Sequence, residues 1–343
     1  MDSCIGFVVV GVGRIGKQYV HLLKKGVKGA FLAGVCLADH EEGKRAAREF
    51  DCHCYFDPEA YLNDDRVAAI IVASPSDTHE EIAVKALKAG KHVIVEKPMA
   101  LTLTGAQNII RTAHEQGCKL MVSFPERFNP VYQKIKELVA SGFLGDVISM
   151  TSKRRTKSNY RPTWYWQENR SGGVIWDLAC HDVDLFRWIL NKEIDSVSAM
   201  AKKAMNNKQV IDNAFISLDI SGNTIGHIEA SWMLPDNFPS WGDIQLEVLG
   251  TKGLIVSDTG KNQHINICAK GASTTFIHPT DYNYWSAVDI TRDVILKDML
   301  ESFVNAVLGR APLPITGEDG LRAVEVAAAA SESIKLRRTI DII

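Results

Sequence analysis

Apolar and polar positions along this chain follow two periods in turn, short apolar runs and longer stretches with an apolar residue every three or four places, until the order changes near residue 124. Apolar runs at Gly6–Val10, Phe31–Leu37, Ala69–Ala73, His92–Val95 and Lys119–Val122 are predicted to be buried strands. Between them, Ile15–Lys25, Glu41–Phe50, His79–Ala89 and Leu103–Glu115 have the spacing of amphipathic helices. Side chains at Ser76 through Thr78 and Thr102 through Thr104 offer caps to the last two. Strand and helix in strict alternation predict βαβ units and a doubly wound parallel sheet over residues 1–124.

Beyond Phe124-Pro125 the texture changes. A helix at Pro130–Ser141 leads into strand-like runs at Val147–Thr151, Ile194–Lys202, Asn213–Ile220, Gly226–Ser231, Asp243–Gly250 and Gly253–Ser257. Glycines at 222, 250, 253 and 260 punctuate these runs as hairpin turns do. A helix at Trp176–Leu190 interrupts them, and helices at Asp293–Leu308 and Glu318–Leu336 follow. The second domain, 125–343, is therefore sheet-rich, with the C-terminal helix able to pack back on the first. A chain of 343 residues, 46% of them hydrophobic, can bury a core in each of two domains.

Charge narrows the partners. Lysine and arginine total 39 against 41 acidic residues, so no electrostatic footprint for nucleic acid or a membrane surface is present, and a small molecule is the expected partner. The one concentrated basic stretch, Lys153-Arg154-Arg155 with Lys157, reads as a solvated strand or loop edge. Seven scattered cysteines read as reduced thiols of a cytoplasmic protein, with no disulfide framework. Cys52-His53-Cys54 lacks a second pair at zinc spacing and reads as a hinge before a turn. The apolar start from Ile5 to Val12 runs into Gly13-Arg14 without a small-residue cleavage site, so it is taken as a strand rather than a signal peptide. No apolar run approaches the roughly twenty residues of a membrane helix.

Three motifs carry chemistry. Gly11-Val-Gly13-Arg14-Ile15-Gly16 follows a strand and opens a helix, the context that a dinucleotide fingerprint requires. Its glycines permit the tight turn, the approach of backbone to a pyrophosphate, and close packing of helix on strand. Asp39, at the end of the second strand, is placed to take ribose hydroxyls and to repel a 2′-phosphate, which favours NAD over NADP; it can equally cap the following helix. Ser74 and Pro75 after the third strand, and His79 at the head of the next helix, would border the cofactor. Glu96-Lys97-Pro98 leaves the fourth strand at the same carboxyl edge, where open parallel sheets bind ligands. Lys97 can donate to a substrate hydroxyl and stabilise a developing alkoxide, and a cis bond before Pro98 would aim it. Read alone, such a triplet is an ordinary surface turn.

Gly172-Gly173 leads to Asp177 and His181, one helical turn apart beside an apolar stripe of Leu178, Leu185, Trp188 and Ile189. The imidazole can accept a hydroxyl proton as hydride leaves, and the carboxylate can orient the substrate or hold the imidazole. Read alone, the pair is a solvated helix face or a cap, and Asp182 and Asp184 are rival carboxylates. His181 with Asp177 and Asp184 has no cysteine or second histidine partner, so no metal is expected.

Taken together these residues resemble the glucose-fructose oxidoreductase / inositol dehydrogenase / MocA family over nearly the whole chain. The cofactor loop, Glu96-Lys97-Pro98 and the Asp177/His181 pair match its motifs, and Arg127-Phe128-Asn129-Pro130 resembles its domain junction, whose arginine can reach substrate. The resemblance implies an NAD-binding Rossmann domain and a substrate-binding and oligomerisation domain built on a large open mixed sheet. It implies NAD(P)-dependent oxidation of a sugar or polyol by a homodimer or homotetramer. Within it Lys97 and His181 would flank the reacting hydroxyl, with Glu96 beside the cofactor, while Asp177 would grip a neighbouring hydroxyl. The segment Tyr160-Arg161-Pro162-Thr163-Trp164-Tyr165-Trp166 is unusually aromatic, and Trp164 in particular offers a face to a sugar ring. Two rival readings stay open: an NAD-retaining redox glycoside hydrolase or lyase, and a non-catalytic NAD or sugar sensor.

Overall fold

The computed structural model describes residues 4–205, 209–258, 264–269, 275–277 and 292–342. Gly260, expected at a hairpin turn, lies outside them. The described residues divide into two compact units, one from within Met1–Pro125 and Thr291–Leu321, the other from within Glu126–Ile290 and Arg322–Ile343.

In the first unit the chain runs β1 (Ile5–Val10), α1 (Arg14–Lys25), β2 (Ala30–Cys36), α2 (His40–Phe50), β3 (Cys54–Tyr55), α3 (Pro58–Leu62), β4 (Ala69–Val72), α4 (His79–Lys88), β5 (His92–Glu96), α5 (Leu103–Glu115) and β6 (Leu120–Ser123). Among the described residues these strands form one six-stranded sheet in the order β3-β2-β1-β4-β5-β6, parallel throughout. The continuous apolar character of β1 and β4 follows from this: in a parallel sheet clad on both faces neither side of a central strand meets water, and every residue of both is buried. The order reverses between β1 and β4, so the loops after those two strands flank a topological switch point, the crevice where open α/β sheets take ligands. Thr102 caps α5 by accepting from the Gly105 N–H, as expected. Thr78 makes no such cap, because its hydroxyl turns back to the Pro75 carbonyl.

Two short elements escape the apolar pattern. Cys52-His53-Cys54, expected to be a hinge, instead enters β3, where the His53 carbonyl accepts from the Val35 N–H at 2.9 Å. A two-residue edge strand is too short to establish any period. A later helix, α9 (Arg292–Val307), belongs to this unit, with Phe303 ring to ring with Phe7 of β1 at 6.1 Å.

The second unit contains α6 (Pro130–Ala140), β7 (Val147–Lys157), α7 (Glu168–Ser171), a π-helical turn at Ile175–Ala179, α8 (Cys180–Leu190), β8 (Ile194–Lys202), β9 (Asn213–Ile220), β10 (Thr224–Leu234), β11 (Gly242–Gly250), β12 (Gly253–Asp258), β13 (His264–Ala269) and β14 (Thr275–Ile277). After α10 (Gly317–Leu336), β15 (Ile340–Asp341) returns to the sheet. Among the described residues the strands form a nine-stranded sheet in the order β14-β13-β12-β11-β7-β10-β9-β8-β15, mixed because β10 runs parallel to β7 while its other neighbours are antiparallel. Its strands alternate buried and accessible positions, so one face is covered. Phe186 of α8 packs on that face so closely that a Cβ on Gly226 would lie 3.1 Å from its ring.

The inner face of β7 is polar. Ser152, Arg154 and Thr156 alternate inward and are buried, so the basic stretch is no solvated edge. Arg154 donates to the Asp182 carboxylate, with Nε 3.0 Å from Oδ2, and Ser152 Oγ donates to Oδ1 at 2.7 Å. Outward-facing Arg155 pairs with Glu229, and Lys153 with Asp243. A run of like charges reads as a solvated surface only while its partners, distant in sequence, are unseen.

Candidate active site

The three fingerprint glycines have three separate physical reasons. Gly11 has φ +87°, and a Cβ there would stand 2.7 Å from backbone atoms of Ala73 and Ser74. At Gly16 a Cβ would fall 2.0 Å from the Gly11 carbonyl oxygen, so only glycine lets α1 pack this tightly on the loop. Gly13, the N-cap of α1, has an ordinary φ of −73°, and a Cβ there would meet nothing within 4 Å. The backbone before α1 is thus bare on one side, at a helix end with no acidic residue in its first turn. Such an end attracts anions through its N–H groups and the helix dipole, so the residues fit a dinucleotide diphosphate. Arg14 is exposed and Ile15 half-buried on the first helical turn.

Asp39 lies exposed just past β2, and its Oδ1 accepts from the Glu42 N–H at 2.8 Å, capping α2. Ser74, after β4, shares a 2.7 Å hydrogen bond with Thr78, whose hydroxyl in turn donates to the Pro75 carbonyl at 2.7 Å. His79 is buried, with Nδ1 2.8 Å from the Pro98 carbonyl oxygen and Nε2 3.0 Å from that of Ser74. Both ring nitrogens face backbone, so His79 joins the loop after β4 to the turn after β5. Burial lowers its pKa from the ordinary 6.5, outweighing the two carbonyls and the nearby Glu96 carboxylate.

That turn is Glu96-Lys97-Pro98, and the Lys97-Pro98 bond is cis. The Glu96 carboxylate is buried and accepts from the Tyr19 hydroxyl of α1 at 2.6 Å; the same hydroxyl lies 2.8 Å from Ser123 Oγ. Tyr19 thus anchors the residue before Lys97, a part that the sequence pattern left unnoticed inside an apolar helix face. Lys97 is half-buried at the carboxyl edge of the sheet.

In the second unit the expected continuous helix over 176–190 begins instead as a π-helical turn at Ile175–Ala179, and α8 starts at Cys180. Such insertions recur at functional sites. Asp177 sits in the π turn and is buried; His181 sits in the first turn of α8 and is half-buried. Asp177 is no solvated face: its Oδ2 accepts from Arg161 Nη2 at 3.0 Å and from Trp232 Nε1 at 2.9 Å. The rival carboxylates are held elsewhere, Asp182 by Arg154 and Asp184 by Arg127.

Arg127, expected to reach substrate, is buried in a two-pronged pair with Asp184, Nε to Oδ2 at 3.0 Å and Nη2 to Oδ1 at 2.6 Å. Trp164 is half-buried and lies 4.1 Å, centroid to centroid, from the Tyr165 ring. The Trp166 and Tyr165 rings both stand T-shaped to the buried Trp232 ring. Sequence reasoning missed Arg161 and Trp232; a lone arginine within an aromatic run was the available signal. No group of three His, Cys, Asp or Glu side chains among the described residues could hold a metal ion.

Comparison with known proteins now bears on these features. Residues 5–124 match the oxidoreductase family with an NAD-binding Rossmann fold, and residues 132–256 match the GFO/IDH/MocA C-terminal domain. The scyllo-inositol 2-dehydrogenase (NAD(+)) of Bacillus subtilis (strain 168) is 30% identical over 98% of this chain and 95% of its own. This chain belongs to the GFO/IDH/MocA oxidoreductase family. Another member, the myo-inositol 2-dehydrogenase of Thermotoga maritima, is 27% identical over 97% of each chain. The family fold is also that of levoglucosan dehydrogenase, solved with NADH and levoglucosan: TM-score 0.89 over 99% of this chain and all of that one, at 20% identity. The parallel sheet and NAD as cofactor are as the motifs led one to expect, and the mixed sheet is as the family resemblance implied.

Proposed function

We propose that this protein oxidises a secondary hydroxyl of a cyclic polyol or sugar, inositol-like or aldose, with hydride passing to NAD. One observation carries the reading: the open cradle at Gly13 and the half-buried Lys97 leave the same carboxyl edge of the same parallel sheet, either side of its switch point. The inositol 2-dehydrogenases among the relatives support the substrate class.

Bound NAD supplies the hydride acceptor. Gly11, Gly13, Arg14, Ile15 and Gly16 would hold its diphosphate, Asp39 its ribose, and Ser74, Pro75 and Glu96 the edge of the crevice. His79 acts one step back by fixing two of these loops to each other. Lys97 donates to the reacting hydroxyl and stabilises negative charge on its oxygen. His181 takes the hydroxyl proton, an imidazole being the side chain best suited to general-base work near neutral pH. Asp177 accepts from a neighbouring hydroxyl, and the Trp164 ring covers an apolar sugar face. Residues 1–124 are the cofactor domain and 125–343 the substrate and oligomerisation domain in this reading.

The test is absorbance at the NADH band with NAD and a panel of inositols, aldoses and glycosides. Growth with a free polyol or sugar supports the dehydrogenase. Glycoside cleavage without net NADH favours the redox hydrolase, and NAD binding with no reaction favours a sensor.

We also propose a homodimer or homotetramer formed through the outer face of the nine-stranded sheet. Met200 is 77% and Ile225 63% exposed there, and exposed Phe215 pairs with Met200 in the register, apolar side chains that a second copy would cover. Light scattering of Ile225→Lys checks it, and an unchanged mass would remove this face from consideration. Six described cysteines are free thiols, which supports a cytoplasmic setting.

A further inference from the structure

The segment between β7 and α7 places Arg161 among Tyr160, Trp164, Tyr165 and Trp166. Its side chain is 1% exposed. Nη2 donates to Asp177 Oδ2 at 3.0 Å and to Thr156 Oγ1 at 2.8 Å, while Nη1 donates to the Lys157 carbonyl. The guanidinium carbon lies 4.4 Å from the Trp232 ring centroid, 4.8 Å from that of Tyr160 and 5.5 Å from that of Tyr165. Trp232 closes the circuit by donating to the same carboxylate oxygen. Arg161 Nε is buried without a hydrogen-bond partner.

Stability alone explains this poorly. A buried ion pair is often no more stabilising than an apolar replacement of the same volume, and a buried unpaired donor costs about 1–3 kcal/mol. Apolar side chains at both 161 and 177 would fill the ring-lined space without either penalty. What the arginine adds is geometry: a planar fork with one edge on Asp177 and Thr156 and one face against aromatic rings. The aromatic segment and the π turn carrying Asp177 are tied through that one side chain.

We propose that Arg161 is a positioning residue for substrate: it fixes one oxygen of Asp177 and joins the aromatic segment to it, so that hydroxyl-gripping and ring-covering groups are presented together. This rests on the dehydrogenase reading for its kinetic consequence, though its electrostatic consequence does not.

Arg161→Met and Arg161→Lys separate the parts. In Arg161→Met the KM for the polyol rises at least tenfold, more than kcat falls, while calorimetric NAD affinity stays at the parent value. The acid limb of kcat/KM moves to higher pH, because a buried carboxylate without its counter-charge takes up a proton more readily. Arg161→Lys keeps the charge and restores the acid limb but leaves KM raised, since an ammonium reproduces neither the fork nor the stack. A parental KM and acid limb in Arg161→Met overturns the proposal, as does a fall in melting temperature alone. If Arg161→Met does not fold, Arg161→Lys decides, and a parental KM there overturns it. Carbon NMR of labelled aspartates, with Asp177 assigned through Asp177→Asn, follows that carboxylate without turnover. Titration at higher pH in Arg161→Met supports the proposal and an unchanged titration refutes it, even if no polyol proves to be a substrate, a failure that would belong to the dehydrogenase reading.

Discussion

Replacing Gly13 by alanine should separate cofactor binding from folding. The new methyl group meets nothing within 4 Å and φ is −73°, so no strain arises in the protein itself. Stiffening the unfolded chain stabilises by about 0.4–1 kcal/mol, and losing a favourable N-cap residue costs a similar amount, so the net change in stability is near zero. The methyl occupies the side from which a diphosphate would approach. Losing one charge-assisted hydrogen bond to the helix end, about 1.5–3 kcal/mol, predicts NAD binding weakened about 10- to 150-fold. Calorimetry reads the affinity and a thermal melt reads the fold. With NAD at a hundred times its parental Kd the parent gains about 2.7 kcal/mol, roughly 5–10 °C, and Gly13→Ala should lose about half to nine-tenths of that increment while matching the parent without NAD. Gly16→Ala is the contrast: its methyl would press within 2.0 Å of the Gly11 carbonyl oxygen, so the apo protein itself is destabilised by about 1–3 kcal/mol. Parental NAD affinity in Gly13→Ala would refute the claim that the dinucleotide lies against this turn.

Further outcomes follow from the other contacts. Lys97→Ala should lower kcat strongly while NAD affinity by calorimetry stays near the parent, and undiminished turnover would take Lys97 out of the chemistry. Asp39→Ala should weaken NAD and, by removing the cap from the Glu42 N–H, destabilise the fold by about 1 kcal/mol in a urea melt. Arg154→Met leaves Asp182 buried without its counter-charge and should cost about 3–5 kcal/mol, far more than exchange of a solvated lysine or arginine; a loss under 1 kcal/mol would contradict the buried pair. Burial depresses the pKa of both His79 and His92 below 6.5, so the unfolded chain binds more protons than the native one just below that value. Their contribution is fully present above about pH 6.5 and is lost as pH falls toward the depressed values, so the urea midpoint should drop between pH 7 and 5, and His79→Asn with His92→Asn should flatten that slope.

Much of the first unit was legible because its signals are local. A βα turn with glycines at fixed spacing, a strand buried on both sides and an acidic residue at the next strand end all declare themselves within about thirty residues. Glu96-Lys97-Pro98 was legible by position, at the end of a strand in a sheet whose ligand edge is known from topology. The second unit was legible as alternating strands, and its parallel pairing of β10 with β7 came only with the structure, since period-two alternation is the same whichever way a neighbour runs.

The polar positions that sequence left open share one cause. Arg127, the Lys153–Arg155 stretch and the carboxylates at 177, 182 and 184 are polar residues whose partners lie 16 to 90 positions away in the chain. In sequence each looks like a solvated charge or a candidate ligand, because desolvation and pairing are properties of the packed state. The sequence by itself determined the alternation of the main strands and helices, the cofactor loop and the family to which the chain belongs, all functions of short-range pattern. Only the tertiary structure decided that Arg127 faces Asp184, that Tyr19 braces Glu96 and that Arg161 holds Asp177, because which buried charge meets which is settled by the strands and helices that carry them together.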